Sequence, residues 1–311
     1  MTEKIPVVSI IMATFNRAHL ILETIESIRN QTFTDFECLI IDDGSKDNTE
    51  YILNEITQSD PRFIYHKRPK SYRKGLPGCR NYGLDLCRGE FIIFFDDDDI
   101  MHYQNLEISV SSIQGSSYGF CRFGRKVFFG SFNQKMNNQQ QIIDCELGIE
   151  QFDKIMSNKI PFNSCQILWQ KACFRDIKFD ERLMYAEEWE CYLKIIHSGY
   201  RGLNISNTLM YARKHGKSNT GEYFEGKEIR LRSHSLAINS IFEYLMKCQS
   251  HSKFTKKYLI NEYFKINGRH KTIINFMPKF NQLDRIFWQF YLVVFPARLK
   301  LYKLKKYISA N

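Results

Sequence analysis

Residues 90–99 read Glu-Phe-Ile-Ile-Phe-Phe-Asp-Asp-Asp-Asp, and this stretch decides the fold. The run from Phe91 to Phe95 shows no polar alternation, so it reads as a strand buried on both faces, the habit of parallel sheets covered by helices. Upstream, VVSIIMAT (7–14) and FECLIID (36–42) are further strand-like runs, and FIYH (63–66) is a shorter one. Helical patterns separate them. The first carries Ile21, Ile25 and Ile28, the second Ile52, Leu53 and Ile56 with Asn48 or Thr49 as its cap, and the third spans Arg80 to Cys87. Strands alternating with helices predict an α/β architecture with a doubly wound, mostly parallel sheet. Ligands of such sheets bind beyond the carboxyl ends of the strands, and the residues after each strand are unusually polar here.

With 311 residues, 43% of them hydrophobic and 25% charged, the chain is large enough for a substantial core and is neither a disordered tail nor a mini-protein. Nine cysteines, an odd number without a CxxC pair, argue against a disulfide framework or a zinc site and fit a reducing cytosol. The N-terminal apolar stretch is short and is followed at once by Asn16 and Arg17, so no signal peptide is expected. Net charge is +10, but residues 251–311 carry 13 Lys and Arg against 2 Asp and Glu, whereas residues 1–250 carry 31 against 32. That asymmetry points to an anionic partner for the tail, either nucleic acid or membrane headgroups.

From about Gly115 to Asn163 the pattern is irregular: FGRKVFFGSF (123–132) suggests a hairpin and Asn137 to Gln141 a polar loop. Helical periodicity resumes beyond Gly221 and continues to the end, with Pro296 expected to break or kink the last segment. The division expected is a catalytic domain over 1–218 and a helical, basic extension over 219–311. The apolar run IFWQFYLVVF (286–295) contains Gln289 and is shorter than the roughly 18 residues needed to cross a bilayer.

Four consecutive acids after a buried strand repel one another unless a cation is present, and carboxylate oxygens suit Mg²⁺ or Mn²⁺ shared with substrate phosphates. The competing reading is a solvated acidic loop. A second pair, Asp42-Asp43, follows the second strand within DDGSKDNT, on the same rim; Asp43 is suited to accept hydrogen bonds from a base or ribose, while Ser45 and Asp47 read as turn and cap residues. Between the clusters, HKRPKSYRKGLPGCRN (66–81) gathers basic residues around Gly75 and Gly78, a composition that suits a diphosphate, with Arg80 the strongest candidate.

Taken in order, VSIIMATFNR, DDGSKDNT, CRNYGLDLCRGEFIIFFDDDD and FDERLMYAEEWECYLKI resemble the motifs of family-two, inverting glycosyltransferases of the GT-A fold, over roughly residues 5–218. The resemblance implies nucleotide contacts at Phe15 and Asn16, a base contact at Asp43 and a place near the diphosphate for Arg80. It sets the DxD motif on Asp96 and Asp98, with Asp98 the metal ligand and Asp97 and Asp99 supporting it or facing ribose. The family's catalytic base is the Asp of a Glu-Asp pair; the matching letters here are Glu187-Glu188, so Glu188 takes the role with one extra methylene, and Glu187 and Glu190 are rivals. The plainer reading of AEEWECYL is an acidic helix start favoured by the macrodipole. In MYARKHGKSNT, His215 is the residue expected to approach the metal or diphosphate.

The implied reaction is inverting transfer of one sugar from a nucleotide sugar, UDP-linked by family frequency, to a glycan or lipid-linked oligosaccharide acceptor in bacterial surface polysaccharide assembly. Mn²⁺ or Mg²⁺ is the expected cofactor. The tail, with Phe287, Trp288, Phe290 and Tyr291 ahead of Arg298, Lys300, Lys303, Lys305 and Lys306, has the composition of a helix on an anionic bilayer, which would make the enzyme cytoplasmic and peripheral to the plasma membrane. A helix packed on the catalytic domain is the alternative. Nucleic acid is not an expected partner, since it leaves both acid clusters unexplained. A catalytically inactive relative and, more weakly, a sugar-nucleotide pyrophosphorylase remain as rival functions; the latter lacks its glycine-rich loop, the chain reading MATFNR instead.

Overall fold

The apolar runs become the strands of a nine-stranded sheet in the computed structural model, which describes residues 4–214, 218–249, 252–280 and 282–308. The chain divides into two compact units, Met1–Ile241 and Phe242–Asn311. In the first, β1 (Val8–Thr14), α1 (Ile21–Arg29), β2 (Phe36–Asp42), α2 (Thr49–Ser59), β3 (Phe63–Lys67), α3 (Leu76–Leu86) and β4 (Phe91–Asp96) alternate as expected. These four strands run parallel in the order β3-β2-β1-β4. Ile10, Met12, Ile40, Ile93 and Phe95 on one face of them pack with Ile21, Ile25, Ile28 and Leu53 of the helices in one buried cluster.

Beyond β4 the sheet turns mixed. In chain order come β5 (Ile100–Met101), α4 (Asn105–Ile113), β6 (Phe120–Phe129), β7 (Ile143–Leu147), α5 (Phe152–Met156), β8 (Ile167–Gln170), α6 (Glu187–His197), β9 (Gly202–Lys214) and α7 (Asn219–Phe224). Strand β8 lies antiparallel between β4 and β6, β6 runs parallel to β9, and β5 and β7 pair antiparallel with β9. The hairpin expected in FGRKVFFGSF does not form. Its first seven residues continue β6, with register shifts on either side of Gly124, and Gly130, at φ 69°, follows the strand's end. The Asn137 to Gln141 segment is a loop held by specific bonds: the Gln139 side-chain amide donates to Thr208 O (2.8 Å), and that of Asn207 to Gln140 O (2.7 Å).

Two local expectations also shift. Helix α3 starts at Leu76 rather than Arg80, with Pro77 in its first turn where a missing N–H costs nothing. A Cβ on its Gly83 would stand 2.4 Å from Ile11 Cγ2, so only glycine lets the helix lie this close to β1. At α2 the capping acceptor is Asp47, not Asn48 or Thr49: its carboxylate takes the N–H groups of Thr49 (3.0 Å) and Ala18 (3.1 Å).

Helix α8 (Glu228–Lys247) leads from the first unit into the second, which continues with α9 (Lys253–Phe276) and α10 (Gln282–Ile308). Phe242, Leu259, Ile260, Phe276, Trp288 and Leu292 are buried there. Gly268, at φ 75°, interrupts α9, whereas α10 continues through Pro296, so the proline does not end it. No described helix is long and apolar enough to cross a membrane.

Candidate active site

The carboxyl ends of β1, β2 and β4 meet at one rim. Register places Thr14 opposite Asp42 and Ala13 opposite Asp96, so the two acid runs flank the end of β1 on either side. Just beyond β1 the backbone of Asn16 enters the left-handed region (φ 54°), one of the few conformations outside glycine where Asn is comfortable. Its N–H donates to Ser45 Oγ (2.9 Å), and its side-chain oxygen accepts from the Lys46 N–H (2.8 Å). Asn16 therefore sews the loop after β1 to the loop after β2. Phe15 beside it is 42% exposed, with the Lys74 ammonium 4.6 Å from its ring centre.

Within DDGSKDNT the two acids have separate work. Asp42 is buried, and its carboxylate accepts from the N–H groups of Gly44 (3.0 Å) and Ser45 (2.8 Å), the Ser45 hydroxyl (2.8 Å) and the Tyr65 hydroxyl (2.8 Å). Asp43 faces the other way. It receives Arg68 Nε at 2.5 Å and the Gly75 N–H at 3.1 Å, the latter at the start of α3.

The run after β4 is split in a similar manner. Asp97 and Asp99 are each 6% exposed, while the side chain of Asp96 is 43% exposed. Burial pushes the Asp97 carboxyl up to about 7 against the opposing pull of Arg17, whose Nε lies 3.2 Å away. Arg17 also reaches Asp98 (3.4 Å). Burial drives the Asp99 carboxyl upward as well, with Asp96 and Asp98 adding to it, although Asp99 accepts the Arg213 N–H at 2.9 Å. The Arg213 guanidinium ties this loop to its surroundings: Nε donates to Asp98 O (2.8 Å), and the remaining nitrogens reach Gly130 O and Glu23.

Asp96, Asp99 and Cys165 bring one ligand atom each to within 4.8 Å of one another, the metal-ligand grouping found among the described residues. Two carboxylates suit a hard divalent ion; the Cys165 thiol, pushed well up by burial and neighbouring acids, is a neutral neighbour. The donor set thus fits Mg²⁺ or Mn²⁺ through its oxygens. Asp98 is not in that grouping and has Arg17 against it instead. His215 lies outside the described residues.

Arg80 joins this rim to α6. It is 1% exposed, packed between the rings of Phe94 and Phe179, and surrounded by carboxylates: Glu188 at 2.9 Å, Asp96 at 3.4 Å and Glu187 at 3.4 Å. Burial opposes its charge, but Glu188, Asp96 and Glu187 together raise its pKa, so the guanidinium stays protonated. Glu188 accepts a second bond, from the Ser164 N–H (3.0 Å), and keeps 24% of its side chain exposed. Burial pushes Glu187 up to about 7 although Arg80 draws it down. Glu190 is fully buried, paired with Lys194 and Ser240. Immediately before them Ala186 adopts φ 64°, a left-handed conformation costly for alanine, and the helix begins from that turn.

Residues 9–176, more than half of the chain, match the sequence profile of glycosyl transferase family 2. The chain belongs to that family. Among curated relatives, the GalNAc(5)-diNAcBac-PP-undecaprenol β-1,3-glucosyltransferase of Campylobacter jejuni is 42% identical over 94 residues, 30% of each chain. The UDP-Glc:α-D-GlcNAc-diphosphoundecaprenol β-1,3-glucosyltransferase WfgD of Escherichia coli is 36% identical over 113 residues, 36% of this chain and 43% of that one. The match thus spans less than half the length of these two relatives. WfaP of Escherichia coli, described by the same reaction as WfgD, is 26% identical over 275 residues, 88% of this chain and 98% of its own. Of solved structures, S. aureus TarS 1–349 in complex with UDP-GlcNAc superposes with a TM-score of 0.62 at 19% identity, covering 88% of this chain and 79% of that one. The mannosyltransferase PcManGT of Pyrobaculum calidifontis, in complex with GDP-Man and Mn²⁺, gives 0.57 at 15% identity, covering 99% and 84%. These likenesses establish the GT-A fold.

Set on this family-two framework, the rim brings together Phe15, Asn16, Asp43, Asp96, Asp97 and Asp98, while Arg80 links Asp96 to Glu188. Arg80 was expected to face a diphosphate; the structure gives it three carboxylates and almost no exposure. The sequence did not point to Arg17 or Cys165, left Arg68 among the other basic residues around Gly75 and Gly78, and in MYARKHGKSNT drew attention to His215 rather than Arg213. For Arg17 a signal existed, since it ends the family-like MATFNR run; for Cys165 and Arg213 only the tertiary structure reveals the partner.

Proposed function

We propose that this family-two protein is an inverting, metal-dependent, non-processive hexosyltransferase that moves one sugar from a nucleoside diphosphate sugar, UDP-linked, to a lipid-linked glycan acceptor in bacterial surface polysaccharide assembly. The observation that carries this reading is the Arg80 junction, by which a carboxylate of the β4 rim and a partly exposed carboxylate of α6 share one buried cation. The relatives named for transfer from UDP-Glc to diphosphoundecaprenol-linked sugars supply the substrate class. Their acceptors are membrane-bound, which favours a cytoplasmic protein peripheral to the inner face of the plasma membrane.

Glu188 is the base in this scheme. Arg80 on Oε1 and the Ser164 N–H on Oε2 fix its orientation, and its exposed fraction leaves room for an acceptor hydroxyl to hand over its proton as the sugar–phosphate bond breaks. Glu187 and Glu190 are too enclosed to meet an acceptor. Phe15 and Asn16 would border the nucleotide, and Asp43 would accept from the base once Arg68 gives way. Asp96, with Asp98 or Asp99 and His215, would hold Mn²⁺ or Mg²⁺, which when bound offsets the charge that grows on the departing diphosphate. Asp97 supports that loop through Arg17.

The test is a panel of nucleotide sugars titrated with and without Mn²⁺, following nucleoside diphosphate release on lipid-linked acceptors. Metal-dependent and acceptor-dependent release from a UDP-sugar is expected. Donor binding without release under any acceptor would favour a catalytically inactive binding protein, and no metal-dependent binding of any nucleotide sugar would contradict both readings.

A further inference from the structure

The second unit carries an apolar surface that its own packing does not use. Helix α10 buries Trp288, Tyr291 and Leu292 against the unit's core, where Trp288 meets Phe280 at 6.0 Å and the Tyr291 hydroxyl accepts from Asn261. The opposite side is exposed, with a run of apolar residues flanked by exposed Gln282 and Gln289. Ile286 (61% exposed), Phe290 (72%) and Val293 (54%), with exposed Ala297, recur at helical spacing along one stripe; Phe287 (59%) lies beside it. The aromatic cluster of the tail is thus divided, Trp288 and Tyr291 facing inward and Phe287 and Phe290 outward. The stripe covers about 17 Å of helix at 1.5 Å per residue. In sequence it runs straight into Arg298, Lys300, Lys303, Lys305 and Lys306, within a segment holding 13 basic residues against 2 acidic ones.

We infer that this outer face of α10 is a docking surface for an anionic lipid bilayer, lying in the interface plane with Ile286, Phe287, Phe290 and Val293 in the acyl boundary, the net positive charge of the sequence that follows attracting negative headgroups. Charge selects the occupant. An apolar stripe alone fits another protein, but one continuous with a strongly basic segment is complementary to a surface that is both apolar beneath and negative above. A second copy of the chain carries the same excess of positive charge in this unit and offers no complementary negative surface to the basic sequence. The helix is too short in apolar residues to cross the bilayer, so it lies on it. This deepens the proposed membrane location by naming the side chains that make the contact.

The experiment is co-sedimentation of the full chain, without any nucleotide sugar, with phosphatidylcholine vesicles and with vesicles that also contain phosphatidylglycerol. Binding to the anionic vesicles is expected, weakened by high salt and at least about tenfold stronger than to phosphatidylcholine alone. The double variant Phe287→Ser, Phe290→Ser should lose about tenfold or more in vesicle affinity with unchanged circular dichroism, since both side chains are exposed. Independently, Phe290→Trp should bring its indole within reach of brominated lipids, whose quenching reports burial in the acyl region. Absence of vesicle binding, equal binding by the double variant, no added quenching at position 290, or a wild-type dimer that the double variant dissolves would each overturn the inference. Because no donor is present, an enzyme that fails to transfer sugar leaves this result standing, and failure to bind vesicles leaves the transfer reaction standing.

Discussion

The two acid runs of the rim follow β2 and β4, the strands on either side of β1 in the parallel half of the sheet, yet they differ in what occupies their oxygens. After β2, Asp42 is saturated by four donors that shape the loop, and Asp43 is closed by Arg68 and Gly75. After β4, Asp97 and Asp99 are buried with few donors, burial raises the pKa values of Asp96, Asp97 and Asp99 alike, and the Asp96 carboxylate, partly exposed, meets Arg80 at 3.4 Å. The first run stabilises the fold as it stands. The second is held in a state that a divalent cation would improve, since like charges packed together in a low-dielectric setting are costly until neutralised.

That contrast can be broken by substitution. Asp96→Asn is expected to reduce turnover by about a thousandfold, through loss of an anionic ligand for the proposed metal and of transition-state charge stabilisation, while the thermal midpoint stays near the wild type. Steady-state nucleoside diphosphate release and calorimetry on the same sample check both halves. Asp42→Ala should do the reverse in kind: it strands two backbone N–H groups and two hydroxyls, and should lower unfolding free energy by about 3 kcal/mol in urea titration. If Asp42→Ala left stability intact, the division of labour between the runs would be wrong.

A smaller effect sharpens the comparison at the third acid pair. Glu187 has its folded pKa raised from 4.5 to about 7 by burial, so the native state binds the extra proton. A raised carboxylate pKa contributes stability that is complete below 4.5 and is lost as pH rises through about 7. Glu187→Gln should remove that decline, by on the order of 2 kcal/mol between the two ends of the window, seen as a flatter dependence of the urea midpoint on pH.

The parallel half of the sheet was legible because VVSIIM, FECLII and EFIIFF are continuous apolar runs with helices of clear periodicity between them. The mixed half was not. Strand β6 pairs with β9 some eighty residues further along, and its glycines mark a register shift and an end rather than a reversal, so local turn signals misled. At the site, letters and spacing pointed to Asp96 and Glu188, but not to the guanidinium between them. Arg80 reads as basic and therefore as a phosphate ligand; only packing between Phe94 and Phe179 turns it toward acids. The outward division of the α10 aromatics is likewise a matter of which face the second unit's core takes up.

The most direct measurement compares Glu188→Gln with the wild type, reading UDP-sugar affinity by calorimetry in the presence of Mn²⁺ and single-turnover transfer to a lipid-linked acceptor. Donor affinity within about twofold and a rate lower by about a thousandfold are the result expected of a lost base. Wild-type transfer by the variant would remove Glu188 from the chemistry and, with it, the Arg80 junction as the heart of the site.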